Sequence, residues 1–253
     1  MTDILNHTEQ GITTLTINRP DKKNSLTSAM YAALADGLTQ AQEDAAVRVV
    51  ILRGHEAIFS AGNDIADFLN TPASRNELPV QRFLRTVARF PKPLIAAVSG
   101  AAVGVGTTML LHCDLVYASD NAVFSLPFVD LGLCPEAGSS LLLPQMLGYH
   151  RAAAALLLGE PLTAQAAPEA GLVNQLVAAN EVNALALAQA RKLAAKPLTA
   201  LMETKRLMKS NQAAILAQMQ QEQDTFTRLL GEPAAKEAFT AFLEKRRPDF
   251  SPF

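Results

Sequence analysis

Between Asp120 and Glu160 the chain carries only two acids, Asp130 and Glu136, amid Leu, Val, Phe and Pro. Glu136 lies in LGLCPEAGSS (residues 131–140), behind Pro135 and ahead of Ala137-Gly138, and an apolar run resumes over residues 139–147. A carboxylate so placed has two uses. It sits in solvent near a helix start, favoured by the helix dipole. Alternatively it sits in a dry pocket, where desolvation raises its pKa and makes it a proton carrier. Local sequence leaves both open. The second chemical resource is backbone. Residues 58–65 (IFSAGNDI) and 100–108 (GAAVGVGTT) are small-residue turns that each lead from a strand toward a helix. A helix N-terminus leaves amide N–H groups unpaired, and two of them from two turns can hold a developing oxyanion. The glycines equally permit tight helix–strand packing, and spacing does not choose. Gly100–Gly106 lacks the GxGxxG order and the lysine of a phosphate-cradling loop, so a nucleotide fold is set aside.

Metal and thiol chemistry find little support. His7, His55, His112 and His150 show no metal-ligand spacing, and Cys113 and Cys134 form no CxxC, so no metal site and no disulfide framework are expected. His112 and Cys113 adjoin but point to different sides of a helix, and both read as core residues.

The 253 residues, 49% of them hydrophobic, suffice for one large domain or for a domain with a smaller appendage. A net charge of −2 gives no general electrostatic support to a nucleic-acid or anionic-membrane partner. The N-terminus lacks a basic-then-apolar leader pattern. The most apolar stretch, residues 94–111, is broken by Gly and Thr and reads as strand, turn and buried helix rather than a membrane span. A cytoplasmic protein without nucleic-acid or membrane partners is the expectation.

The elements that must position these groups follow from pattern. Residues 4–9 and 12–18 alternate β-formers around Gly11 and predict a hairpin. A helix capped by Thr27 or Ser28 runs to about Asp44, with Met30, Ala33, Leu34, Leu38 and Ala41 on one face. Residues 47–53 (VRVVILR) and 94–98 read as buried parallel strands. Residues 66–79 read as a mobile loop, 81–90 and 107–112 as helices, and 114–118 and 122–125 as strands. Further helices are predicted over 151–158 and 163–170, with a last strand over 173–177. The end of the chain predicts helices over 181–195, 198–209, 213–230 and 234–244. Alternating strand and helix argues for an α/β fold with parallel pairing.

Four stretches in chain order carry a resemblance: INRPDKKNSLT (17–27), IFSAGNDIADF (58–68), AAVSGAAVGVGTTMLLHCDLVYAS (96–119) and FVDLGLCPEAGSS (128–140). They resemble the successive signatures of the crotonase superfamily, the enoyl-CoA hydratase/isomerase family, and the ending FLEKRRPDF (242–250) is similar to the family's close. The resemblance implies a ββα spiral on two sheets over residues 1–195. It also implies a helical C-terminal trimerisation region over 196–253, giving homotrimers or dimers of trimers. The implied substrate is an acyl-CoA thioester, with no separate cofactor, since coenzyme A is part of the substrate.

By position, the two oxyanion amides fall on Asn63, after Ala61-Gly62, and on Val105, between Gly104 and Gly106. Ala61, Asp64 and Ile65 would follow the coenzyme A path, and Lys23 would stand near its phosphates. Phe68, Leu69, Phe83 and Leu84 would line the acyl pocket. Hydratases of the family carry two glutamates where this chain has Thr108 and Phe128, and Phe128 cannot hold a water. LGLCPEAGSS is instead similar to the LGxxPExxSS stretch of peroxisomal-type Δ3,Δ2-enoyl-CoA isomerases, whose single catalytic glutamate falls on Glu136. The implied reaction moves a C2 proton to C4 through Glu136, and Asp130 is read as a structural turn acid. Two alternatives stand beside it: another acyl-CoA reaction (hydratase-type, hydrolase or lyase), with Asp130 or Thr108 holding water, and a non-catalytic CoA-binding module.

Overall fold

The computed structural model describes residues 2–70 and 77–253. β1 (Ile4–Glu9) and β2 (Ile12–Ile17) form the expected antiparallel hairpin. Its two-residue turn has positive φ at both Gln10 (51°) and Gly11 (76°), the conformation that matches strand twist. α1 (Ser28–Glu43) follows, capped by the Thr27 hydroxyl, which accepts a hydrogen bond from the Met30 amide.

From here the chain repeats a pattern. β3 (Val49–Arg53) and β4 (Ile58–Ser60) lead to α2 (Ile65–Asn70) and α3 (Pro79–Arg89). β5 (Leu94–Val98) and β6 (Ala101–Val103) lead to α4 (Val105–Thr108), and β7 (Leu115–Ser119) and β8 (Val123–Ser125) lead to α5 (Ser139–Leu147) and α6 (Tyr149–Leu157). Each repeat gives its first strand to one sheet and its second to the other. With β9 (Leu162–Thr163) and β10 (Gln175–Val177), the sheets run β1-β2-β3-β5-β7-β10 and β4-β6-β8-β9. Pairing is parallel except at β1–β2 and β8–β9. This is the α/β, ββα spiral that the resemblance implied.

The strands of the larger sheet read as continuous apolar runs because both of their faces are covered. One face meets α1 and α3, with Phe59, Phe83, Phe90 and Leu94 fully buried. Burial of each such side chain contributes roughly 1.5–3 kcal/mol. The other face meets α7 (Val182–Ala194), where Ile12, Val49, Ile51 and Ile95 pack on Val182, Ala186 and Ala190. α8 (Leu198–Met208), α9 (Gln212–Leu230) and α10 (Pro233–Glu244) complete the chain. Ile215 and Met219 of α9 are buried in the same core as α1 and α3. Among the described residues, no helix is long and apolar enough to cross a membrane.

Several expectations differ from the structure. Residues 58–60, read as the start of a small-residue turn, form β4. Residues 163–170 do not form a helix: Leu162-Thr163 pairs with β8 instead, and the next residues make isolated turns. Pro168 has no N–H to continue a ladder there. Residues 101–103, read as part of a glycine-rich turn, form β6, too short to show an alternation. The helix over 107–112 begins at Val105 and tightens into a 3-10 turn at Met109–His112. Of the loop over 66–79, residues 66–70 belong to α2, Pro79 opens α3, and residues 71–76 lie outside the described residues.

Candidate active site

The two small-residue turns are brought side by side by strand register. β4 and β6 are parallel neighbours with Ser60 opposite Ala102. Asn63 lies three residues beyond the first and Val105 three beyond the second, so both leave the same end of the sheet. The turns touch where Gly106 passes Ser60: a Cβ on Gly106 would come 3.0 Å from the Ser60 carbonyl oxygen. Likewise Gly62, at φ 88°, passes Val103 so closely that a Cβ would lie 3.0 Å from its carbonyl oxygen. A Cβ at either position would force its neighbour to give by a few tenths of an ångström, and the positive φ at Gly62 favours glycine besides.

Both candidate amides are free to face a ligand. Asn63 pairs with Leu26 in a parallel bridge that uses the Gly62 carbonyl and the Asp64 amide, at 2.8 and 2.9 Å. The Asn63 N–H points the other way and donates to no described residue. Val105 opens α4, where a first-turn N–H has no helical partner, and its amide also donates to no described residue. The Thr107 hydroxyl ties this turn down by donating to the Ala102 carbonyl at 2.6 Å.

Glu136 and Asn63 line one cavity of about 750 Å³, together with Leu26, Tyr31, Phe68, Leu84, Met219 and Phe226. One carboxylate oxygen of Glu136, Oε1, is buried and has no hydrogen-bond partner among the described residues. Burial first, and then the negative charge of Glu222, raise its pKa from an ordinary 4.5 to about 7. The Thr108 hydroxyl pulls the other way, but it is itself buried without a hydrogen bond of good geometry. A carboxyl titrating near neutrality can take a proton and return it at similar cost.

The turn that aims Glu136 is held in an unfavourable backbone conformation. Ala137 has φ 61° and Gly138 φ 74°, and a left-handed residue with a Cβ costs roughly 1–2 kcal/mol. His112 Nε2–H donates to the Ala137 carbonyl at 2.8 Å. Burial pushes the His112 pKa down to about 4, so the ring is neutral and its Nε2 is the donor. The Glu222 carboxylate accepts from the Gly138 amide at 2.5 Å, from the Ser140 amide at 2.9 Å and from the Ser140 hydroxyl.

The other residues singled out by sequence are distributed as follows. Phe68 and Leu84 line the cavity, and Phe68 stacks edge-on against Phe226 at 6.2 Å between ring centroids. Thr108 lies beside Glu136, while Gly104 and Gly106 flank Val105 in the second turn. Ile65 starts α2 and packs on the core. Lys23 is exposed in a left-handed turn, and its carbonyl accepts from the Ala61 amide at 3.0 Å. The Asp64 carboxylate accepts from Arg19 Nη1 at 2.7 Å, which holds its pKa below the usual range. Asp64 thereby braces the turn at residues 19–25, and its side chain does not line the cavity.

Phe128 is buried in the core. Phe83 is core as well, 5.7 Å from the Tyr31 ring, and Leu69 is exposed; neither lines the cavity among the described residues. Asp130 is exposed in a 3-10 turn, away from the cavity. Among the described residues no group of three or more His, Cys, Asp or Glu is placed to hold a metal ion.

Three contributors escaped the sequence reading. Tyr31 sits on the buried face of α1, its hydroxyl donates to the Asn63 side chain, and burial lifts its pKa well above the ordinary value. Asn24, fully buried, donates to the Ile58 and Phe59 carbonyls at 3.1 Å and secures β4. Glu222 lies in the polar run QQEQD of the helix predicted over 213–230. Its signal was available: Ile215, Met219 and Glu222 follow helical spacing, so the acid falls on the buried stripe of α9.

The sequence pattern described as enoyl-CoA hydratase/isomerase matches residues 7–252. The chain belongs to this family. It is 38% identical to a 1,2-epoxyphenylacetyl-CoA isomerase of Escherichia coli (strain K12), over 98% of each protein. It is 36% identical to a 2,3-dehydroadipyl-CoA hydratase of the same organism, over 99% of each. An enoyl-CoA delta isomerase 2 of Rattus norvegicus is 36% identical over 89% of this chain and 59% of its own length. The crystal structure of an enoyl-CoA hydratase/isomerase from Pseudoalteromonas atlantica T6c superposes with a TM-score of 0.95 at 40% identity, covering 99% of this chain and 100% of that one. Membership gives the protein the family's crotonase fold and makes it an enzyme of the enoyl-CoA hydratase/isomerase type. The relatives catalyse different reactions, so the reaction of this chain has to be read from its own site.

Proposed function

We propose that the protein is a Δ3,Δ2-enoyl-CoA isomerase, converting a 3-enoyl-CoA to the 2-trans isomer. The observation that carries this reading is Glu136: a carboxylate with one unpaired oxygen and a pKa near 7, lining the cavity that Asn63 also lines. The reaction needs one mobile proton. Glu136 takes it from C2, and the electron pair moves into the thioester, whose oxygen becomes an enolate held by the Asn63 and Val105 amides. The dienolate is conjugated through C3 and C4. Protonated Glu136 returns the proton to C4, the enolate collapses, and the double bond lies between C2 and C3. No atom is gained or lost.

Hydration is the competing use of such a site, and it needs a second polar group to hold water. The two positions that matter hold Thr108, which points at the Glu136 side, and Phe128, which is buried in the core. That supports isomerisation over hydration. Coenzyme A would enter as part of the substrate, and we assign its path to Lys23, Ala61 and Ile65, close to Asn63 in sequence or paired with that turn. Trimers would form through the C-terminal helices, whose Leu207, Met208, Phe242 and Leu243 are exposed; mass photometry reads that assembly directly.

The test is Glu136→Gln with 3-hexenoyl-CoA. Turnover is expected to fall by about 10³-fold or more, since the substitution removes the only acid–base group assigned to the reaction. Retained turnover would sink the role of Glu136. Product mass separates the reactions, because hydration adds a water and isomerisation leaves the mass unchanged.

A further inference from the structure

Behind the turn that carries Glu136 stands a second buried carboxylate, Glu222 of α9, on an element remote in sequence. Its oxygens meet donors. The Gly138 and Ser140 amides can only donate, and Ser140 Oγ receives a hydrogen bond from Gln218 Nε2 at 2.9 Å, which leaves its own proton for Glu222 Oε1. These donors include the first free amides of α5, where the helix dipole also favours an anion. Gly138, the residue before that helix, has no side chain to cap it, so the cap comes from α9. The fit is close: a Cβ on Gly138 would lie 3.2 Å from Ile215 Cγ2 and 3.4 Å from Met219 Cγ.

We propose that Glu222 is a positioning residue for Glu136: its carboxylate ties down the strained turn at Gly138 and Ser140 and keeps a negative charge behind the catalytic carboxylate. This rests on the isomerase reading of Glu136. Two like charges held near each other oppose simultaneous ionisation, so the pair is relieved when Glu136 takes a proton. The fixed anion makes Glu136 a stronger base at the step where it attacks C2. Burial lifts Glu222's own pKa, and the donors from Ser140 and Gly138 oppose that rise.

The other groups facing the pair do not cancel this effect. Glu136 is faced by the neutral Tyr31 phenol from α1 and by the Thr108 hydroxyl from α4, and Asp67 of α2 faces Tyr31. His112, neutral, faces the Ala137 carbonyl. Cys134 lies against Glu222, and Arg228 acts on Cys134.

The experiment compares the pH dependence of kcat/KM for the unmodified protein, Glu222→Gln and Glu136→Gln, with 3-hexenoyl-CoA. Glutamine keeps the size and an accepting oxygen but removes the charge. The rising limb of Glu222→Gln is expected to move about one pH unit lower, with plateau kcat reduced about tenfold by the weaker base. A lower plateau with the limb unmoved would mean a merely structural cap and would overturn the proposal. Retained turnover in Glu136→Gln removes the isomerase reading instead, so the two failures are distinct. Should Glu222→Gln not fold, ¹³C carboxyl titration of the unmodified protein and Glu136→Gln decides. The resonance titrating near pH 7 is expected to vanish in Glu136→Gln, with Glu222 ionised at lower pH. A surviving step near pH 7 that belongs to Glu222 overturns the proposal.

Discussion

Glu136→Gln should make the protein more stable at alkaline pH while removing its activity. The Glu136 carboxyl is held at about 7 against an ordinary 4.5, so ionising it in the folded protein is disfavoured by roughly 3 kcal/mol relative to the unfolded chain. The sign follows from proton uptake. Between pH 4.5 and 7 the folded state holds a proton that the unfolded state has released, so stability falls as pH rises through this window. Above pH 7 both states are ionised and the full deficit persists. Glutamine carries no charge at any pH and escapes it. Because Oε1 has no partner to lose, the substitution breaks no hydrogen bond at that atom. The expected gain is about 1–3 kcal/mol at pH 8, shrinking toward zero near pH 4.5. Denaturant unfolding at fixed protein concentration, at pH 8 and pH 5, measures it. An equal or lower stability of Glu136→Gln at pH 8, or a difference independent of pH, would refute the placement of an ionisable Glu136 in a dry site.

The remaining predictions concern rates. For the unmodified protein, kcat/KM on 3-hexenoyl-CoA should rise with pH to a midpoint near 7, where burial and Glu222 hold the Glu136 carboxyl, and fall about tenfold for each pH unit below it; a midpoint in the ordinary carboxylate range contradicts the site. Tyr31→Phe removes the hydroxyl that donates to the Asn63 side chain and should lower kcat about tenfold with little change in KM, read from steady-state rates. Gly106→Ala places a Cβ 3.0 Å from the Ser60 carbonyl oxygen. It should push the two amide turns apart and cost about 10²-fold in kcat, while circular dichroism shows the fold retained.

How far the sequence disclosed all this depended on whether a signal was local. Strands 49–53 and 94–98 were legible because two-sided burial leaves no room for polar residues, and α1 because Thr27 and its apolar stripe agree. β4 and β6 were not, because their three residues each run into a small-residue turn, and β9 was not, because it is two residues long. Within the site, Glu136 stood out as an isolated acid, and Asn63 and Val105 by their glycine neighbours. Their function is carried by backbone N–H groups, which any residue type supplies. Tyr31, Asn24 and Glu222 were hidden because each acts through a partner remote in sequence: Glu222 and Gly138 are 84 residues apart. Helical spacing marks Glu222 as buried, but only the fold reveals what it meets.

The places where this chain departs from ordinary stability rules converge on one turn. Of the three buried side-chain oxygens without a partner among the described residues, two belong to Glu136 and Thr108. Ala137, next to Glu136, is one of the few non-glycine residues with positive φ. A like-charged carboxylate stands behind it. Each feature alone is unfavourable, and a stability optimum would pair the oxygen, place glycine at residue 137 and replace Glu222 by an uncharged cap. Together they have one consequence: a carboxyl that lines the cavity, with one buried oxygen left unpaired, and that gains by taking up a proton. The turn tolerates this because His112 and Glu222 grip it from two sides, through helices buried in the main core. A pairing partner supplied to Glu136, such as Thr108→Asn, should therefore stabilise the fold and lower kcat. If it stabilises the fold and leaves kcat unchanged, the unpaired oxygen is an accident of packing and not a requirement of the chemistry.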